Sequence, residues 1–88
     1  QPKISPDGRW MAYVSNESGK TEVYVRPFPD VNKGRWQVST DGGDSPIWSP
    51  NGRELFYLNG DAVMAVSVDA ERALSLGTPE LLFRGSYV

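Results

Sequence analysis

At 88 residues and a formal net charge of −2, the chain has the length of one small domain, and its 9 basic and 11 acidic residues are scattered rather than gathered into a stripe that could track a phosphate backbone. With neither cysteine nor histidine it has no disulfide, no thiolate metal site, and neither the commonest general base nor the commonest metal ligand. No apolar run reaches the roughly 18 to 20 residues that span a bilayer, and Gln1-Pro2-Lys3 lacks the charged and apolar regions of a leader, so nucleic acid, membrane insertion and a bound cofactor are all unexpected.

In chain order, period-two alternation replaces helical periodicity. Trp10, Ala12 and Val14 oppose Met11, Tyr13 and Ser15, and Val23 and Val25 oppose Glu22, Tyr24 and Arg26. Strands are predicted at about 2–5, 9–15, 21–27, 35–40, 46–49, 53–59, 62–68 and 80–83. Pro6-Asp7-Gly8 closes the first hairpin and Pro50-Asn51-Gly52 the fifth-to-sixth strand hairpin, with proline presetting its φ and glycine accepting φ > 0. Asn16-Glu17-Ser18-Gly19-Lys20, Asn59-Gly60-Asp61 and Asp41-Gly42-Gly43-Asp44 supply further turns, the longest connections run from Pro27 to Gly34 and from Asp69 to Thr78, and a single helical turn is placed near Ala70-Glu71-Arg72.

The same motif occurs twice, Ser5-Pro6-Asp7-Gly8-Arg9 and Ser49-Pro50-Asn51-Gly52-Arg53, at a spacing of 44 that divides the chain into two periods. Pro2, Ile4, Met11, Tyr13 and Val14 fall on Pro46, Trp48, Leu55, Tyr57 and Leu58 at that spacing. Farther on, Val23-Tyr24-Val25 is aligned with Met64-Ala65-Val66 at 41, and Gln37-Val38-Ser39 with Glu80-Leu81-Leu82 at 43. Repeats of this length, each four short strands, are propeller blades, and two blades are too few to close a ring. The expected fold is all-β, with a four-stranded antiparallel blade at 1–44 and another at 45–88, completed into a propeller by homo-oligomerisation. Stacking supplies the core of such repeats. Trp10, Tyr13, Trp36, Trp48, Phe56 and Tyr57 are the expected inter-blade packing residues, and the two unstacked faces are expected to carry Trp10, Tyr13, Ile47, Trp48, Phe56, Tyr57, Val63 and Val66. A head-to-tail ring of three copies is expected first and one of four next, with partners for the edges at Lys3-Ile4 and Leu81-Leu82-Phe83 in neighbouring blades or chains.

The runs Ile4 to Tyr13 and Pro46 to Tyr57 resemble the TolB-like, WD40-like (PD40) propeller repeat over the whole chain. The stretches Ser15 to Gly19, Glu22 to Pro29 and Trp36 to Thr40 are similar to blades at the C-terminal, sensor-like end of bacterial serine/threonine protein kinases. That resemblance implies a non-enzymatic, extracytoplasmic scaffold that binds proteins or peptides. Asn51 departs from the usual Asp of the motif, and no Gly-rich ATP loop, His-Arg-Asp or Asp-Phe-Gly motif is present.

Chemistry finds little purchase. Asp7 and Asn51 read as turn residues that bond to their own backbone. Asp41, Asp44 and Asp61 are too sparse to specify a calcium cage. Ser5, Ser15, Ser39, Ser45 and Ser49 have no histidine to activate them and no Gly-x-Ser-x-Gly elbow. No catalytic, cofactor-binding or metal-ligating residue is assigned, and the turn residues Pro6, Asp7, Gly8, Pro50, Asn51 and Gly52 stand beside the packing aromatics as the marked positions. The expected function is a structural, protein-interaction scaffold. The alternatives are an accessory propeller of a larger enzyme, such as the gating domain of a prolyl-oligopeptidase-like peptidase, or a carbohydrate-binding propeller.

Overall fold

The structure, a computed structural model, describes residues 2–71 and 73–85. It is all-β, with two antiparallel sheets. The first has the order β1 (Lys3–Ile4), β2 (Trp10–Ser15), β3 (Glu22–Pro27), β4 (Trp36–Gln37). In the second, β5 (Asp44–Trp48), β6 (Glu54–Asn59) and β7 (Ala62–Asp69) are consecutive neighbours, and β8 (Ser75–Leu76) and β9 (Glu80–Arg84) share the free edge of β7. β1 to β4 and β5 to β8 run as meanders, each strand pairing with the one before it, whereas β9 returns to pair with β7.

Eight strands are predicted and nine are found among the described residues, the difference lying at that last edge. Leu76 and Ser75 pair with Val68 and Asp69, whereas Glu80 to Arg84 pair with Ala65 to Ala62, with a register shift between Val63 and Met64. Pro79 has no N–H to give the ladder, and at Gly77 a Cβ would collide with Ser67 Oγ while the Gly77 N–H donates to the Ser67 carbonyl at 2.9 Å. The fourth strand is therefore interrupted and bulged, a form that blunts an edge against unwanted pairing. β5 begins at Asp44, earlier than predicted, because Ser45 takes φ 54° and a bulge sets Asp44 apart from Ile47. Pro46 then sits on an edge strand, where its missing donor is tolerated. Helical structure occurs at Val31–Lys33 as a 3-10 turn, in the first long connection. The turn predicted near Ala70-Glu71-Arg72 is absent at Ala70 and Glu71, where the Asp69 carboxylate instead accepts the Glu71 N–H at 3.2 Å, and Arg72 lies outside the described residues.

The pairing register corrects two of the repeat alignments. Ala12 pairs with Val25 and Phe56 with Ala65, so a strand pair that begins 44 residues apart continues 40 apart, not 41. Likewise Tyr24 pairs with Gln37 and Met64 with Leu81, which returns the spacing to 44 rather than 43. The connection between β6 and β7 is shorter than that between β2 and β3, and sequence similarity alone does not place the gap. A one-residue error matters because it moves every side chain of a strand to the other face. In the correct register Val25 corresponds to Ala65, Tyr24 to Met64 and Arg26 to Val66.

Residues directly opposite on paired strands share a face. One face of the first sheet therefore carries Trp10, Ala12, Val14, Val23, Val25, Trp36 and Val38, and one face of the second carries Trp48, Leu55, Tyr57, Met64, Val66 and Val68. These two faces meet. Ala12, Val23, Val25, Val38, Leu55, Tyr57, Val66, Val68 and Leu74 form one buried cluster, with Ala12, Val23, Val25, Leu55 and Val66 at 0% exposure. The link between the sheets is pinned from below. Glu22, 2% exposed, accepts from Ser39 Oγ at 2.5 Å and from the Gly42 N–H at 3.0 Å, while Ser39 Oγ also accepts the Val23 N–H at 2.8 Å. A buried carboxylate is tolerated because its Oε1 accepts both bonds. Gly43 must be glycine here: a Cβ would lie 2.8 Å from Ser39 Cβ and 3.0 Å from Tyr57 Cδ2.

Two stability changes follow. Leu55→Ala, at a site with 0% exposure, is expected to cost about 2–5 kcal/mol in urea unfolding. Gly43→Ala is expected to cost about 1–3 kcal/mol by overpacking, and an unchanged urea midpoint for it would show that the linker gives way without penalty.

Candidate interaction site

The repeated motif folds twice into the same hydrogen-bonded object. In the first copy Ser5 Oγ donates to Asp7 Oδ1 at 2.6 Å and accepts the Trp10 N–H at 3.1 Å, while Asp7 Oδ1 also accepts the Arg9 N–H at 3.1 Å. In the second copy Ser49 Oγ donates to Asn51 Oδ1 at 2.8 Å and accepts the Glu54 N–H at 3.0 Å, and Asn51 Oδ1 accepts the Arg53 N–H at 2.9 Å. Backbone bonds repeat too, from Gly8 N to the Ser5 carbonyl and from Gly52 N to the Ser49 carbonyl, both at 2.9 Å. Gly8 at φ 75° and Gly52 at φ 72° occupy the left-handed region that glycine enters without a steric cost. Asn51 replaces Asp because only the Oδ1 acceptor is required. Both serine hydroxyls are thereby committed as braces, each giving its proton to one acceptor and taking an amide proton in return.

The charge that remains on Asp7 is stabilised where it sits. The Ser5 hydroxyl bond, then the Arg9 amide and guanidinium, outweigh partial desolvation and hold its carboxyl below the ordinary value of 3.8. Tyr57 moves the other way: burial, with the Glu22 carboxylate behind it, pushes its phenol above 10.0, so it stays protonated at neutral pH.

The two turns lie side by side, the site for a Cβ on Gly52 being 3.5 Å from Pro6 Cδ. Between them opens a cleft of about 310 Å³ lined by Ser5, Asp7, Trp10, Asn51, Val68 and Ala70, among others. Trp10 lines this cleft, and its buried Nε1 has no hydrogen-bond partner among the described residues. A wider polar groove continues past Arg9, Arg53, Ser67, Asp69 and Glu71. Sequence reasoning marked the turn residues but gave no sign that they converge, since that depends on the stacking of the sheets.

The marked aromatics divide between two environments. Trp10 and Trp36 meet edge to face, 5.7 Å between ring centroids and 83° between planes, against the inter-sheet core. Trp48 packs there as well, and its Nε1 donates to the Lys3 carbonyl of the other sheet at 2.9 Å. Tyr57 is 3% exposed within the core. Tyr13 and Phe56 stand on the opposite faces, pointing away from the shared core. Of the residues expected on unstacked faces, Tyr13, Ile47, Phe56 and Val63 lie there, whereas Trp10, Trp48, Tyr57 and Val66 face inward; the register of each strand decides the sorting.

On the outer face of the first sheet Tyr13 stacks on Tyr24 at 5.7 Å and 25°. The Arg26 guanidinium lies 5.8 Å from the Tyr13 ring centroid and that of Arg35 lies 5.2 Å from the Tyr24 ring centroid. Arg26 is fixed by donating to Tyr13 Oη at 2.8 Å and to the Val31 carbonyl at 2.9 Å, and Arg35 by Glu17 at 2.5 Å. Sequence alternation set Tyr13 opposite Ala12 and Tyr24 opposite Val25 within their strands, but only the pairing register puts the two tyrosines on one face, and Arg35 lies outside the strand pairs. The outer face of the second sheet is apolar at its centre, with Ile47 59% and Phe83 54% exposed beside Phe56, Leu58 and Val63.

Among the described residues no three acidic groups converge to hold a metal ion. Asp41 faces Lys20 at 3.4 Å, Asp61 faces Arg84 at 3.0 Å, and Asp44 begins β5. No helix among the described residues is long and apolar enough to cross a membrane.

No family model matches the chain. A curated protein, dipeptidyl aminopeptidase BI of Pseudoxanthomonas mexicana, is 32% identical over 79 residues, covering 88% of this chain and 11% of that protein. The chain thus spans about a tenth of the length of the curated relative it matches.

The turn chemistry sets a pH dependence. A depressed folded-state carboxyl contributes stability that is present above its ordinary value of 3.8 and is lost as pH falls through the folded value. Asp7→Asn is expected to preserve neutral-pH stability, as Asn51 does in the second turn, and to flatten the acid limb of the thermal-melting profile. Ser5→Ala, by contrast, removes the brace at all pH values and is expected to cost about 1 kcal/mol.

Proposed function

We propose that this chain is two consecutive blades of a β-propeller and serves as a non-catalytic scaffold for protein or peptide contacts, in the setting of a larger peptidase. The observation that carries the reading is the way the sheets stack. The inner face of the first sheet meets the face of the second that corresponds, in register, to the first sheet's outer face. Repetition of one such step, each unit presenting the same face forward, is how blades follow one another around a propeller.

Several features support the accessory role. The chain has no histidine, its motif serines are spent as braces, and the protein to which it is 32% identical is a peptidase. The likeness to TolB-like blades supports the propeller reading and carries with it an extracytoplasmic setting. Contacts with peptide would fall at the turn cleft, where Trp10 Nε1 offers a buried donor and Asp7 and Asn51 supply polar walls. A bound peptide carbonyl could accept that unspent hydrogen bond, and burying an unpaired donor is costly enough to reward it.

The test has two parts. The chain is expected to hydrolyse dipeptidyl chromogenic substrates no faster than buffer, and a measurable rate would remove the non-catalytic role. Titration with unstructured peptides is expected to shift the Trp10 indole N–H resonance saturably; a spectrum unmoved throughout by peptides would remove the contact role.

A further inference from the structure

We propose that the outer face of the second sheet takes the outer face of the first sheet of another copy of this chain, head to tail, repeating between copies the interface already made within one. The inference rests on the two-blade reading and names the partner.

The argument is one of register. Within the chain the face that docks is formed by Trp10, Ala12, Val14, Val23, Val25 and Trp36. The same lattice positions in the second sheet hold Glu54, Phe56, Leu58, Val63, Ala65 and Glu80, and these form its outer, unpartnered face. The face that receives is formed in the second sheet by Leu55, Tyr57, Met64 and Val66; in the first sheet those positions hold Met11, Tyr13, Tyr24 and Arg26 on its outer face. In the single chain one docking face and one receiving face thus lack a second sheet against them, each matched to the other by the contact seen inside, with Ala65 and Tyr24 already buried at their centres. Neither is matched to itself, so the expected contact is heterologous rather than two-fold.

Apolar centres fit this occupant. Ile47, Phe56, Leu58 and Val63 would cover Ile4, Met11 and Tyr13, the last stacked on the already buried Tyr24, with Ile47 at 59% and Ile4 at 41% exposure in the single chain. Contiguous apolar area on a sheet face is a mark of an interaction surface.

The charges fit as well, and here the two interfaces differ in a compensated way. Where the internal docking face has the Trp10–Trp36 pair, the outer one has Glu54 and Glu80. Where the internal receiving face has Val66, the outer one has Arg26, with Arg35 held over Tyr24 nearby. The outer docking face thus carries acidic residues and the outer receiving face basic ones. An Arg–carboxylate contact at the edge of an apolar patch contributes selectivity against wrong pairings, so the same step remains distinguishable when made within a chain and when made between chains. Each added copy exposes the same two faces again, and the series ends when the rotation closes; three copies are expected first and four next.

Light scattering on the 88-residue chain is expected to give a mass at a multiple of 9.7 kDa, with three chains the first expectation. Ile47→Glu blocks the docking face and Ile4→Glu the receiving face, both at exposed positions that leave the internal core untouched. Each variant alone is expected to run as a folded monomer by circular dichroism and light scattering. Mixed in equal amounts they are expected to form a one-to-one dimer and nothing larger, because a single good pair of faces remains. A folded wild-type monomer, or an Ile4→Glu variant that keeps the wild-type mass, would overturn the head-to-tail contact. Either result leaves the non-catalytic, peptide-contact reading standing, since hydrolysis and peptide titration test that reading separately, and it permits further blades from the same polypeptide.

Discussion

Burial of one apolar sheet face against another is the constraint on which the rest of this structure depends. Neither meander can shield both of its faces, and the turns and edges contribute little apolar area. The cluster around Ala12, Val23, Val25, Leu55 and Val66 therefore holds the molecule together, with roughly 25 cal/mol gained per Å² of apolar surface removed from water. Everything with functional meaning is positioned by that contact. It brings the two Ser-Pro-Asp/Asn-Gly turns together, opens the cleft at Trp10, and turns Tyr13, Arg26, Ile47 and Phe56 outward.

The polar groups work in support of this stack. Glu22, Ser39 and Gly42 tie down the passage from one sheet to the next, and Trp48 Nε1 bonds across it to the Lys3 carbonyl. Such bonds are modest in net energy but expensive to leave unmade once the groups are buried. They fix where the second sheet sits without supplying the main attraction. The same economy governs the turns, where one serine hydroxyl and one side-chain oxygen satisfy three groups at each repeat. That economy explains why Asp in one turn and Asn in the other make the same bonds.

The likeness to a peptidase runs over 79 residues and about a tenth of that protein's length. Turns, alternation and packing are the features that the chain carries in duplicate. A fold of this kind hosts many functions, and the specific content here lies in the outer faces. One is apolar with an acidic margin, the other aromatic with two arginines held in place by hydrogen bonds and an ion pair.

Much of this was legible in the residues themselves. Period-two alternation and the spacing of 44 determined an all-β chain with two similar sheets, and Pro-Asp-Gly and Pro-Asn-Gly located their hairpins, because turn chemistry and side-chain alternation are local properties. The broken last strand was less legible, since Gly77 and Pro79 have meaning only beside Ser67 and the edge of β7. The alignment of β3 with β7 was misplaced by one residue for the same reason: Val23-Tyr24-Val25 resembles Met64-Ala65-Val66 as a string, and only the hydrogen-bonded register shows that Val25 answers to Ala65. That single residue decides which face is buried. The sequence alone thus determined the strands and their turns, whereas tertiary structure decided which of two apolar faces each sheet presents to its neighbour, because face selection depends on pairing partners far apart in the chain.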